Sequence, residues 1–210
     1  MSADAVVLAM ESLVGLSWGD PETRARYRSI LAPWDTEAHR EEMACAQSSC
    51  AVAICAALLI AEVDGLVRGW RGKIACDPLR APRSGHYDAI MYLEHLSRQR
   101  GLYAAAAGRE PPEVRAGVVL QVEGPDHVLM ATSAPDAEGH FTTAEGGQSD
   151  PLNPRTGAQN CTAIRRRVRQ LGGGPGCWTV DGRRVRWGAD AGALPCCGEG
   201  MPWERLGFRL

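Results

Sequence analysis

Apolar and polar positions divide the chain into a first part with helical period and a second part that alternates with a period of two. Between Ala3 and Gly15, residues Val6, Val7, Met10, Leu13 and Val14 recur at three- and four-residue intervals, which predicts a helix that is broken between Gly15 and Pro21. A second helix is predicted from near Pro21, a residue suited to a first turn, to just before Pro33. The stretch from Thr36 to Ala46 is mostly polar and leads through Gln47, Ser48 and Ser49 to Cys50. The segment AVAICAALLIAEVDG then stays apolar almost to Asp64-Gly65, the pattern of a buried helix whose hydroxyl-rich start offers Ser48 or Ser49 as N-cap. Residues 66–84 are rich in Gly, Pro and Arg and read as a loop. A helix from about His86 to Arg100 follows, with Ile90, Leu93 and Leu96 toward the core.

From Ala116 the period changes. Strands are predicted at 118–122, 127–133 and 140–145, separated by turns at 123–126 and 135–139. TAIRRRVRQL (162–171) is a candidate fourth strand, and after the Gly-rich break at 172–176 the pieces CWTV and RRVRW flank Asp181-Gly182, a strong hairpin signal. Helices followed by an antiparallel sheet is the α+β pattern. No internal repeat is visible.

The 210 residues suffice for one sizeable core. The expectation is therefore one domain over 1–210, with a helical cap at 1–43, a core at 44–170 and a hairpin extension at 171–210. A net charge of −2 with 45% hydrophobic residues argues against a nucleic-acid binder driven by bulk electrostatics. The N-terminal twenty or so residues lack the basic start, apolar stretch and cleavage site of a secretory signal. The longest later apolar run, Ala51 to Ala61, is about half of a bilayer span, so no membrane span is expected. These features predict a chain made in the cytoplasm, reaching any outside target by a leaderless route.

Eight cysteines contain no CxxC pair. Cys45, Cys50 and Cys55 on one helix would point about 140° apart and could not share a tetrahedral metal, and no metal or other cofactor is expected. The spacing of Cys177 from Cys196 and Cys197 allows a disulfide in an oxidising compartment, with buried free thiols as the alternative.

A thiol nucleophile needs a field that favours thiolate, a base within hydrogen-bond reach, and a group that fixes the base's tautomer. Cys50 at a helix N-terminus would feel the positive end of the macrodipole and the free amides of the first turn. His127 begins a strand directly after a turn, and Glu145 ends the next strand, where antiparallel pairing would bring it beside His127. Singly, each has a structural explanation: a buried small residue, a strand histidine, a turn carboxylate. Their joint order favours chemistry. His140 is the reserve base, while His39, His86 and His95 fit less well.

The segments AQSSCAVAICAALL, VVLQVEGPDHVLMATS and FTTAEGGQSD, spanning roughly residues 44–170, resemble the CHAP group of cysteine, histidine-dependent amidohydrolases and peptidases and the related NlpC-type cell-wall peptidases. The resemblance implies a reduced papain-like fold, Cys–His–Glu/Asn catalysis, and a peptidoglycan stem peptide or other peptide amide as substrate. It suggests an antibacterial effector or phage-type lysis enzyme, with an immunity or secretion protein as a further partner. This chain departs from the family pattern in having Ser49 immediately before Cys50, with Gln47 as the nearest amide and candidate oxyanion donor. After the strand it has Glu145-Gly-Gly-Gln148, so that either Glu145 or Gln148 would orient His127; a carboxylate stabilises an imidazolium better, which favours Glu145. Two other functional classes fit the same residues. One is a cysteine deamidase or transglutaminase acting on a protein side chain, and the other is a non-enzymatic binding or immunity module in which Cys50 is core.

Three weaker signals complete the reading. Arg165, Arg166, Arg167 and Arg169 resemble a polyanion patch but read better as a solvated strand. Trp178, Trp187 and Trp203 are expected to pack the C-terminal hairpin rather than line a groove. Gly172 to Gly176 lacks the Lys and the helix of a phosphate loop.

Overall fold

The computed structural model describes residues 3–17, 22–23, 26, 49–61, 93, 113–123, 127–150, 160–174 and 177–191. Two helices are described in full, α1 (Ala3–Ser12) and α2 (Ser49–Ile60). Six strands follow: β1 (Val118–Val122), β2 (His127–Ala131), β3 (His140–Asp150), β4 (Asn160–Gly174), β5 (Cys177–Val180) and β6 (Arg183–Asp190). Each strand pairs antiparallel with the next, and β6 returns to pair with β1, so the sheet closes into a barrel. Closure overturns the expected α+β, papain-like class of helices packed on an antiparallel sheet. The physical reason is non-local: alternation predicts each strand, but the β1–β6 ladder joins segments whose partnership no local pattern encodes.

The C-terminal hairpin, expected as an extension beyond residue 170, supplies β5 and β6 and completes the ring. Asp181 and Gly182 form its turn with φ of 50° and 75°, the left-handed pair that a two-residue hairpin of matching twist requires. Strand β4 runs longer than the predicted 162–171 because it serves two neighbours, pairing β3 along His140↔Gln170 to Asp150↔Asn160 and then β5 along Leu171↔Val180 to Gly174↔Cys177. Gly173 sits at the crowded end of that second ladder with φ of 87°, where a Cβ would lie 2.0 Å from the Cys177 carbonyl oxygen.

Alternate residues of the strands fill the barrel. Val118, Leu120 and Val122 from β1 meet Leu129, Phe141 and Val185, with Trp178 packed against them. Helix α2 packs against β2, β3 and β4 and against α1. Its sequence explains this placement, since a helix apolar all round must be covered on several sides. Ala51, Ala53, Ile54, Ala56, Ala57 and Leu58 are buried, and their small side chains permit close approach. Val6, Ala9, Met10 and Leu13 form the buried stripe of α1, and Gly15 and Leu16 hydrogen-bond to Ile164, fastening the end of α1 to β4.

The helices predicted from Pro21 and from His86, and the loop at 66–84, lie outside the described residues except for isolated helical positions at 22–23, 26 and 93. Among the described residues no helix is long and apolar enough to cross a membrane. Cys177 is a free, exposed thiol, and the partners its spacing allows, Cys196 and Cys197, lie outside the described residues.

Candidate active site

Three elements converge at one end of the barrel. Cys50 is in the first turn of α2 and buried, His127 opens β2, and Glu145 lies midway along β3 with no exposed side-chain surface. The β2–β3 ladder pairs Met130 with Ala144 and Ala131 with Thr143, which brings the start of β2 alongside the stretch after Ala144. Packing of α2 against these same two strands carries its N-terminal turn to His127.

His127 Nε2 and Glu145 Oε2 are 2.9 Å apart. An ionised carboxylate only accepts, so Nε2 carries the proton and Nδ1 is the ring nitrogen left for the Cys50 thiol, with which the imidazole is hydrogen-bonded. The backbone N–H groups of Val128 and Ala51 also donate to the sulfur. One comes from the strand that carries the base and the other from the first turn of α2, where amides lack intrahelical partners.

Glu145 is held from several directions. Arg169 donates from Nε to Oε1 at 2.7 Å and from Nη2 to Oε2 at 2.5 Å, a two-pronged contact. The Thr143 hydroxyl donates to Oε1, and Gln148 Nε2 donates to Oε2 at 3.1 Å. Gln148 owes this position to a bulge: Glu145 pairs with Arg165 and Gln148 with Ala163, so β3 has one more residue than β4 between these pairs. The surplus falls at Gly146-Gly147, with Gly147 at φ 70°, and it turns Gln148 onto the face of Glu145. The Glu145-Gly-Gly-Gln148 segment is thus a bulge inside a continuing strand and not the turn that would end it.

Burial opposes ionisation of the Cys50 thiol, but the hydrogen bond and charge of His127 outweigh it and hold the thiol below its ordinary value. Burial likewise opposes charge on His127, yet Cys50 and Glu145 together raise it to about 9. Glu145 is also disfavoured by burial, and Arg169 first and His127 second bring it down to about 2. The three groups thus pull one another toward thiolate, imidazolium and carboxylate in a row, the array needed for nucleophilic attack and proton delivery.

Of the other residues named from sequence, Ser49 opens α2 and Gln47 lies outside the described residues. Gln148 sits 3.5 Å from His127 Nε2 and contacts the imidazole mainly through Glu145. His140 is at the opposite end of β3, exposed and 3.6 Å from Asp136. Trp187 is buried and Trp178 packs on the barrel core.

The residue that sequence reasoning missed is Arg169. In the sequence it falls among the exposed Arg165, Arg166 and Arg167; alternation separates it from Arg166 but places it on the same face as Arg165 and Arg167, so no local signal singles it out. Among the described residues no group of three or more His, Cys, Asp or Glu is arranged to hold a metal ion. Comparison of the chain with protein-family models, with curated proteins and with solved structures finds no match.

Proposed function

We propose that this chain is a cysteine hydrolase that cleaves amide bonds, with Cys50 as nucleophile, His127 as acid and base, and Glu145 as the group that orients His127. The observation that carries the reading is the unbroken chain of contacts from the Cys50 thiol through the imidazole to a buried carboxylate 2.9 Å from Nε2. A structural cysteine has no need of such a chain. Burial alone would raise its pKa and leave the thiol inert, whereas here the neighbours reverse the direction.

In the proposed reaction the thiolate attacks the carbonyl carbon, a C–S bond forms, and first-turn amides of α2 receive the developing oxyanion. His127 then gives its Nδ1 proton to the departing amine as the C–N bond breaks. Water, deprotonated by the same nitrogen, hydrolyses the acyl-thioester and restores the thiol. Glu145 keeps Nε2 protonated throughout, so that Nδ1 is always the working nitrogen.

For the substrate, the sequence resemblance suggests a peptidoglycan stem peptide, which is the first amide to test. Wild-type protein is expected to release new stem-peptide termini from purified peptidoglycan, read by mass spectrometry, while Cys50→Ala and His127→Ala release none. Ammonia liberated from a glutamine-containing protein without chain cleavage would redirect the reading to a deamidase. A Cys50 thiol that ionises no more readily than a free cysteine would overturn catalysis and leave a binding module.

A further inference from the structure

We infer that Arg169, braced by Asp181 in the β5–β6 turn, is a positioning residue that clamps the Glu145 carboxylate against His127, so that the hairpin closing the barrel also buttresses the active site. The inference rests on the Cys50–His127 reading above.

The clamp is geometric. Arg169 spends Nε and Nη2 on the two oxygens of Glu145, at 2.7 and 2.5 Å, and turns Nη1 to Asp181 Oδ2 at 2.8 Å. A planar guanidinium can make these three contacts only in one orientation, so fixing the Asp181 end fixes the Glu145 end. Asp181 is itself held tightly. Its Oδ1 accepts from the Gln170 N–H at 2.8 Å, and its own N–H donates to the Gln170 carbonyl at 2.9 Å. Its φ of 50° belongs to the hairpin turn that precedes β6, the strand that returns to β1. The path from barrel closure to nucleophile thus runs Asp181, Arg169, Glu145, His127, Cys50.

The clamp also answers a problem that burial creates. Glu145 has no exposed side-chain surface, so water cannot hold its charge or its orientation. Thr143, Gln148 and His127 contact it, but of the groups around it Arg169 is the permanent cation. Without that cation the carboxylate would take up a proton or turn away, and His127 would lose the acceptor that holds Nε2–H.

The test reads the ionisation of Cys50 directly, as the far-ultraviolet thiolate absorbance of each protein minus that of its Cys50→Ala counterpart, titrated against pH. Wild type is expected to ionise well below an ordinary cysteine. Arg169→Met should move the midpoint upward by about one pH unit or more and reduce turnover about tenfold or more. Arg169→Lys, which keeps the charge but loses the fork, should fall between, and Asp181→Asn should shift the midpoint slightly in the same direction. In a Glu145→Gln background, Arg169→Met should add nothing, because its effect passes through that carboxylate. A folded Arg169→Met protein with an unmoved midpoint, or an equal shift in the Glu145→Gln background, overturns the clamp. Should Arg169→Met fail to fold, Arg169→Lys and Asp181→Asn decide by the same criterion. An ordinary midpoint for Cys50 in wild type would instead overturn the active-site reading, and the clamp with it.

Discussion

Two arginines of strand β4, Arg166 and Arg169, each meet a glutamate of another element, with the same chemistry in opposite surroundings. Arg166 reaches Glu11 of α1 with 60% of its side chain exposed, whereas Arg169 reaches Glu145 with 23% exposed and its partner fully covered. Alternation along the strand places the two arginines on opposite faces. On the outer face water can replace either partner, so the pair has little to hold. On the inner face no solvent is available to Glu145, which depends on the arginine for its charge and its orientation. A count of ion pairs would treat the two alike. Burial distinguishes them, and the same burial ties one pair to a histidine and a thiol.

The largest expected effect comes from breaking the inner pair. Glu145→Ala leaves the Arg169 guanidinium facing a vacated space with two donors unmet, and should cost about 3 kcal/mol in urea unfolding. Turnover should fall about a thousandfold or more, because Nε2 of His127 loses its acceptor and the tautomer is no longer fixed. Glu145→Gln separates the two losses, since it keeps the volume and removes the charge. It should recover part of the stability and little of the activity.

Acid should act on the inner pair only well below the ordinary carboxylate range. Glu145 is held at about 2, below its ordinary 4.5, so its stabilising contribution is complete above 4.5 and is lost as pH falls through about 2. On the alkaline side His127, raised from 6.5 to about 9, contributes stability that is complete below 6.5 and lost as pH rises through about 9. Cys50 has the opposite sign, because a depressed thiol contributes above its unfolded value and loses that contribution toward acid. Over the range where both groups titrate in the unfolded chain the two slopes oppose each other. Melting temperature should therefore be nearly flat from neutral to mildly alkaline pH and fall steeply only in strong acid, while turnover declines above about pH 9 as the imidazolium is lost. A melting temperature that dropped steadily from pH 6.5 upward would mean that His127 is charged without a thiolate beside it.

The same contrast shows what the sequence made legible. Cys50, His127 and Glu145 each stand at a place that local pattern announces: the head of an apolar helix, the first residue after a turn, and the end of a predicted strand, although that strand continues past Glu145 to Asp150. The Asp181-Gly182 turn was equally plain, because its left-handed dihedrals demand those residue types. Barrel closure was not legible, since the β1–β6 ladder depends on pairing between distant segments and alternation carries no label for a partner. Arg169 was lost for the same reason. Its partners lie on β3 and on the far side of a turn, so within the run RRRVR it could not be told from its solvated neighbours. Gly146 and Gly147 suggested a turn, and only the offset between two ladders shows a bulge.

Gln148 provides a test of intermediate size. It donates to Glu145 Oε2 and accepts from Arg167 Nε at 3.1 Å, so it links the buried carboxylate to the exposed part of β4. Gln148→Ala removes one of several contacts to Glu145 and leaves Arg169 in place. Turnover should drop by about tenfold or less, in keeping with the loss of one neutral donor to a charged acceptor. A loss as large as that of Glu145→Ala would mean that Gln148, and not Glu145, orients His127.

The smallest effect is expected where the contact looks most favourable on paper. Arg166 meets Glu11 through both Nε and Nη2, yet the arginine is largely in solvent, and an exposed pair gives up side-chain freedom for an attraction that water and salt weaken. Helix α1 is held by other means, through the stripe Val6, Ala9, Met10 and Leu13 and through the hydrogen bonds of Gly15 and Leu16 to Ile164. Arg166→Ala should accordingly leave melting temperature and turnover unchanged within error, and whatever difference remains at low salt should vanish at about 1 M salt, where screening acts within about 3 Å. A clear loss of stability that persisted at high salt would show that the Arg166 stem, lying along the α1–β4 junction, contributes by packing rather than by charge.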